Sequence, residues 1–146
     1  MAQILVISHG LLAQELCNSV VMIMGINISL NHISMDATQG VEKLKKDLNK
    51  QLGGLSKTGE KLIIVCDLYF GCPFISAVEF ITNILSPQQC RIITGANLPM
   101  LLELCMANNT DPENLDHLVD IALRMGKEGI KEFALKIETN TSDECI

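Results

Sequence analysis

The N-terminal part of this chain contains the stretch ILVISHG at residues 4–10, in which four consecutive aliphatic residues lead into a polar turn. A short apolar run of this kind is typical of a strand that is buried on both faces of a sheet. Apolar positions after it recur at helical spacing as far as Gly25. The stretch therefore predicts a buried strand that turns directly into a helix at His9 and Gly10.

The same alternation of strand and helix continues along the rest of the chain. Apolar patterning predicts strands over residues 2–8, 28–34, 61–67 and 90–94, and helices over residues 12–23, 41–52, 73–85, 97–105 and 115–123. Thr110 and Glu113 have the spacing of a capping box and are expected to open the last helix. Short connections and right-handed crossovers predict a three-layer, doubly wound α/β fold with a mainly parallel sheet in the order 2-1-3-4.

Composition restricts the classes of partner. The 146 residues suit one domain, and 48% of them are hydrophobic but only 3% aromatic, so aliphatic side chains must fill the core. The formal charge of −6 argues against a nucleic-acid partner and against binding to an anionic membrane. Six cysteines show no C-x-x-C spacing, and the sequence has no signal-peptide pattern and no run of transmembrane length. We expect a cytoplasmic protein with reduced thiols and no metal site.

The predicted sheet order places a candidate site between strands 1 and 3. The chain leaves these neighbouring strands in opposite directions, and ligands bind in the crevice beyond their carboxyl ends. His9 and Gly10 follow strand 1 and Asp67 follows strand 3. A carboxylate that accepts the Nδ1–H of a histidine leaves Nε2 as a nucleophile, and the nearby helix N-termini favour an anion. The pair therefore predicts phosphoryl chemistry on His9.

Other interpretations of these residues remain open at this point. His9 could simply be a turn residue, and Asp67 could be a helix cap or turn former. Cys72 could be a loop residue with no chemical role. His32 and His117 fall among polar positions of a strand and a helix. The sequence has no G-x-x-x-x-G-K-[ST] and no G-x-G-x-x-G, so we expect no nucleotide and no other cofactor.

Four segments of the chain resemble a known family. They are ILVISHGLLA at residues 4–13, DLYFGCP at 67–73, GANLPMLLE at 95–103 and GKEGI at 126–130. Together they are similar to the mannose-family enzyme IIA components of the bacterial sugar phosphotransferase system, over residues 4 to about 133. The second segment departs from the family pattern D-L-F-G-G-[ST]-P, because Phe70 replaces a glycine and Cys72 replaces a serine or threonine.

The resemblance implies a function and a set of roles. The chain would be a phosphotransferase with a phosphohistidine intermediate. His9 would take phosphate from phospho-HPr and pass it to a IIB component. That component phosphorylates the sugar during its uptake through the membrane subunits IIC and IID. Asp67 would orient His9, while Gly10, Gly71 and Cys72 would bind the phosphate. Alternatives are the phosphoryl-donor subunit of a dihydroxyacetone kinase, a regulatory domain that only signals by phosphorylation, a receiver-like domain phosphorylated on Asp67, and an interaction domain without phosphate chemistry.

The C-terminal part predicts assembly into a homodimer. Residues 133–137 resemble a fifth strand that has little room to return to its own sheet, and the resemblance likewise implies that it crosses to a partner. We therefore expect one domain over residues 1–137, a polar tail over residues 138–146, and strand exchange between two copies.

Overall fold

The computed structural model describes residues 1–136, and in them strands and helices alternate along the chain. In chain order the elements are β1 (Gln3–His9), α1 (Leu12–Met24), β2 (Leu30–Met35), α2 (Gly40–Leu52), α3 (Leu55–Thr58), β3 (Leu62–Cys66), α4 (Cys72–Ile84), β4 (Cys90–Thr94), α5 (Leu98–Thr110) and α6 (Leu115–Glu128). The four strands and five helices predicted over residues 2–123 are confirmed to within a few residues, except that α5 runs longer than predicted. The single-turn helix α3 was not expected.

The sheet of the described residues has the order β2-β1-β3-β4, and every pair is parallel. This order confirms the predicted doubly wound topology. The ladder between β1 and β3 ends at the pair Ile7 and Cys66, whereas β1 continues along β2 as far as His9 opposite Met35. β1 therefore extends two residues past β3, and this overhang brings His9 beside the residue that follows β3.

Two apolar cores cover the two faces of the sheet, which gives the three predicted layers. Alternate residues of β1 and β3, such as Ile4 and Val65, pack against α1, α5 and α6. The residues between them, such as Leu5 and Ile64, pack against α2 and α4. Full burial of an aliphatic side chain contributes about 1.5–3 kcal/mol, so the continuous apolar runs in these strands account for the sheet's position in the middle layer.

The predicted capping box at the start of the last helix is wrong. Thr110 ends α5, where its hydroxyl donates to the carbonyl of Ala107 at 2.9 Å. α6 is capped instead by Asn114, whose Oδ1 accepts the N–H of His117 at 3.1 Å. Asparagine is preferred over threonine at an N-cap, and Thr110 lies within the last turn of α5, which leaves Asn114 to open α6.

The length of α5 has a tertiary cause. Asn108 is buried in its last turn, where its side chain accepts the N–H of Ala2 at 3.1 Å and donates to the carbonyl of the same residue at 2.8 Å. These two bonds satisfy a buried amide and fix the end of α5 to the start of β1.

The C-terminal segment, which is expected to pair with a partner's sheet, forms no strand within residues 1–136 of the single chain. α6 continues through the buried Gly126 to Glu128, and residues 131–136 then have no helix or strand. Phe133 and Leu135 are 87% and 86% exposed. Ile137 and the predicted tail at residues 138–146 lie outside the described residues, so the domain boundary and the strand exchange stay predictions.

Among the helices described, none combines the length and the apolar character that a membrane crossing requires.

Candidate functional site

The structure brings His9 and Asp67 into direct contact. Nδ1 of His9 lies 2.8 Å from Oδ2 of Asp67, and the same oxygen accepts the backbone N–H of His9 at 3.0 Å. The side chains of His9 and Asp67 are 41% and 12% exposed. A carboxylate only accepts, so Nδ1 carries the hydrogen and the neutral ring presents the lone pair of Nε2.

The second carboxylate oxygen of Asp67 is buried. Within residues 1–136, Oδ1 has no hydrogen-bond donor. Among the residues described, the polar contacts of this carboxylate are therefore the two to His9. A partly buried negative charge with so few donors favours a ring that gains positive charge.

The turn from β1 into α1 depends on Ser8 and Gly10. Gly10 has a φ of +55°, a region that glycine adopts without strain, and its N–H donates to the carbonyl of Met35 at 2.9 Å. Ser8 is fully buried, and its Oγ accepts the N–H of Ala13 at 2.6 Å. Sequence reasoning missed the role of Ser8. The sequence did contain a signal, because Ser8 is a lone hydroxyl at the end of an apolar strand. A buried polar group needs a hydrogen-bond partner, so this position could have been predicted to bond the following turn.

A tight turn follows Asp67. The N–H of Gly71 donates to the carbonyl of Leu68 at 3.2 Å, and Phe70 has a φ of +61°. A positive φ at the third position is the pattern of a type II turn, which normally has glycine there. Phe70 is the one non-glycine residue with positive φ among the described residues. The turn thus has a backbone conformation that favours glycine, although a phenylalanine occupies the position.

The side chain of Phe70 packs within an aromatic cluster that we define as Tyr69, Phe70 and Phe74. Its ring centroid lies 4.4 Å from that of Tyr69 and 5.8 Å from that of Phe74, both in edge-to-face arrangement. Each such pair contributes about 0.5–1.5 kcal/mol. A bulky residue in the left-handed region costs roughly 1–2 kcal/mol, so the cluster offsets the strain.

The three residues predicted to bind phosphate differ in whether their hydrogen-bond donors are already used within the protein. The amides of Gly10 and Gly71 already donate to carbonyls of the protein, at 2.9 Å and 3.2 Å. Cys72 is exposed and is the first residue of α4, directly after the turn. Phosphate binding by these residues stays a prediction, and the bonds of the two glycines favour a shaping role for them.

The other two histidines lie away from this pair. His32 is exposed in the middle of β2, opposite Val6. His117 lies in the first turn of α6, beside Asp116, which pairs with Arg91 of β4 at 2.9 Å. That pairing places the start of α6 towards the amino end of β4, whereas His9 lies at the carboxyl end of β1.

Cys66, a buried thiol at the end of β3, directly precedes Asp67 in the chain. Burial raises the pKa of the Cys66 thiol to about 12, and the charge of the adjacent Asp67 adds to the effect. Within residues 1–136, no three His, Cys, Asp or Glu side chains cluster in a way that could hold a metal ion.

Comparison with known proteins identifies the family. The family model described as "PTS system fructose IIA component" matches residues 3–123. The "PTS system mannose-specific EIIAB component" of Escherichia coli (strain K12) is 32% identical over 129 residues, which cover 88% of this chain and 38% of that protein. The same component of Shigella flexneri matches equally well. The chain thus spans about two fifths of the length of these curated relatives.

Solved structures agree with the family match. The mannose/sorbose-specific IIA subunit from Enterococcus faecalis superposes with a TM-score of 0.80 at 25% identity, over 94% of this chain and 98% of that one. The EIIA component from Streptococcus agalactiae gives a TM-score of 0.79 at 22% identity, over 90% and 97%, and shows the fold alone. On the family match and these likenesses, the chain belongs to the mannose/fructose family of IIA components of the sugar phosphotransferase system.

Proposed function

We propose that this chain is a phosphoryl carrier that accepts phosphate from phospho-HPr on Nε2 of His9 and passes it to a IIB component. The contact of 2.8 Å between His9 Nδ1 and Asp67 Oδ2 carries the proposal. It fixes the tautomer in which Nε2 is the nucleophile, on a ring that is 41% exposed.

The transfer exchanges one bond for another of the same kind. The P–N bond of the donor phosphohistidine breaks and its electron pair returns to the donor ring, while a new P–N bond forms at Nε2 of His9. The His9 ring keeps its Nδ1 hydrogen and gains positive charge, which Asp67 stabilises. Since the energies of the two bonds are similar, catalysis needs positioning and electrostatic stabilisation.

The surface beside the site suits a protein partner. Exposed apolar side chains follow both site residues in the chain: Leu11 and Leu12 after Gly10, and Leu68, Tyr69 and Phe70 after Asp67. Apolar surface concentrated at one place marks an interaction site in soluble proteins. A phosphoryl donor and an acceptor that are themselves proteins would both contact this surface.

Incubation with phosphoenolpyruvate, enzyme I and HPr, followed by intact mass, tests the proposal. We expect the mass to rise by one phosphoryl group, in an adduct that survives base and is lost in acid. His9→Ala should abolish uptake, while His32→Ala and His117→Ala retain it and serve as controls. A base-labile adduct would instead indicate Asp67 and the receiver-like alternative.

The second half of the proposal needs an acceptor. Phosphorylated protein that has been separated from HPr should lose its phosphoryl group when a mannose-family IIB protein is added. A phospho-His9 that no such IIB protein discharges would contradict the carrier role and favour the regulatory alternative.

A further inference from the structure

Gly71 has a backbone conformation that does not require glycine. Its φ of −68° and ψ of 161° lie in the extended region that every residue adopts. Its neighbour Phe70, in contrast, has the positive φ that favours glycine. The backbone conformation therefore explains neither the phenylalanine at position 70 nor the glycine at position 71. Another reason is needed for a glycine at position 71.

The space around Gly71 supplies that reason. A Cβ added there would lie 2.7 Å from Cε1 of His9, 3.3 Å from the carbonyl oxygen of Leu68 and 3.5 Å from Nε2 of His9. Cβ atoms in real structures essentially never approach another heavy atom to 2.7 Å. The backbone of the turn thus packs directly against the edge of the imidazole that joins its two nitrogens.

Hydrogen bonds hold both partners of this contact in place. The His9 ring is held on its Nδ1 side by Asp67, at 2.8 Å. Gly71 is held by its N–H bond to Leu68 and by its carbonyl, which accepts the N–H of Ile75 at 3.0 Å in the first turn of α4. A methyl group at position 71 must therefore rotate the ring away from Asp67 or open the turn.

We propose that Gly71 is a positioning residue for the phosphoryl acceptor. Its missing side chain lets the turn press on the Cε1 edge of His9, so that the ring keeps Nδ1 on Asp67 and presents Nε2 to the partner. The amide of Gly71 is already bonded to Leu68, so this role is steric. The expected effect on phosphoryl uptake rests on the proposed function of His9, whereas the contact between Gly71 and the His9 ring does not.

The first test measures the ring itself. In the full chain, the ¹⁵N shifts of the His9 imidazole report its tautomer without any phosphoryl donor. We expect the Nδ1–H tautomer to dominate in the native protein and to become a mixture in Gly71→Ala, with phosphoryl uptake from phospho-HPr slowed roughly tenfold or more. Gly54→Ala is the matched control, since a Cβ there meets nothing within 4 Å and the glycine has no positive φ.

A double-mutant cycle separates the contact from a general effect on folding. If the methyl meets the imidazole, Gly71→Ala should raise the unfolding equilibrium constant at least about fivefold in the native background, as overpacking does. It should change that constant far less in the His9→Ala background, where the ring is absent. An equal effect in both backgrounds, or unchanged His9 shifts in Gly71→Ala, would overturn the inference. Changed shifts in a protein that never accepts phosphate would leave it standing and contradict the proposed function.

Discussion

A single oxygen of Asp67 binds His9 twice: Oδ2 accepts the ring Nδ1–H at 2.8 Å and the backbone N–H at 3.0 Å. The first bond fixes the ring and the second fixes the main chain at the end of β1. The other oxygen, Oδ1, is buried and lacks a donor within residues 1–136. An amide could accept both bonds only with its NH₂ in the place of the buried Oδ1, and it would remove the negative charge beside the ring.

Asp67→Asn should slow phosphoryl uptake by orders of magnitude while the fold remains. If the amide oxygen takes the place of Oδ2, the neutral side chain no longer stabilises the positive charge that the ring gains, and its NH₂ occupies the buried position of Oδ1. If the amide flips, its NH₂ faces the backbone N–H of His9 and favours the tautomer with hydrogen on Nε2. Carboxylate-to-amide changes beside a catalytic histidine reduce rates by up to about 10⁴ for this reason. Rapid-quench kinetics with phospho-HPr would measure the effect.

Asp36→Asn is the matched control for this prediction. Asp36 follows β2 at the same edge of the sheet, but its Oδ1 accepts from the amide and hydroxyl of Thr38, both at 2.6 Å. These bonds hold the pKa of Asp36 below its usual value and involve no residue of the site. We expect Asp36→Asn to transfer phosphate at the native rate. Uptake by Asp67→Asn as fast as by this control would contradict the orienting role.

Phe70→Gly and Phe70→Ala should separate backbone strain from side-chain packing. Both variants lose the ring contacts to Tyr69 and Phe74, at 4.4 Å and 5.8 Å. Only glycine also relieves the φ of +61°. We expect Phe70→Gly to be more stable than Phe70→Ala by roughly 1 kcal/mol and to lie within about 1 kcal/mol of the native protein. Urea unfolding would check this order, and equal stability of the two variants would mean that the turn carries no strain.

Alkylation should distinguish the thiols of the native chain. Burial raises the pKa of Cys17, Cys66 and Cys90 to about 12 and that of Cys105 to about 11. A thiol ionises only above its pKa, so these four stay protonated at about pH 8.5, near the ordinary cysteine pKa. Cys72 is exposed. Peptide mapping after iodoacetamide treatment should therefore find Cys72 modified and these four unmodified until the protein is unfolded.

Much of the fold follows from local pattern. Residues 4–7 and 62–66 are uninterrupted apolar runs, and such runs identify strands that are buried on both faces. Once those strands are placed, right-handed crossovers leave few sheet orders, and the observed one is the order predicted. The meeting of His9 and Asp67 follows from that order, because they end neighbouring strands at the same edge.

Other features depend on contacts that no local pattern encodes. The bonds of the buried Asn108 to Ala2 join the last turn of α5 to the start of β1, so α5 includes Thr110 and Asn114 becomes the cap of α6. The glycine at position 71 could be explained by turn geometry until the structure placed the His9 ring against it. Such features depend on packing between residues that are distant in sequence.

The segment after α6 presents apolar side chains that the single chain does not cover. Ile130, Phe133 and Leu135 are each at least 80% exposed. Within residues 1–136, β2 and β4 each pair with a strand on one side only, so both edges of the sheet offer unpaired backbone groups. Exchange of this segment between two identical chains would pair the free backbone groups of one sheet edge and cover the apolar side chains at the same time.

We therefore predict a dimer that depends on residues 130–137. Burial of Phe133 and Leu135 against a partner would contribute about 1.5–3 kcal/mol each, twice by symmetry. Sedimentation at micromolar concentration should give a species of two chains, and truncation after Gly129 should give monomers or insoluble protein. Phe133→Ser with Leu135→Ser should weaken the dimer without removing the segment, whereas substitution of the exposed Met22 on α1 by Ser should leave it intact and is the control. A clean native species near the 16.0 kDa mass of one chain would refute the exchange.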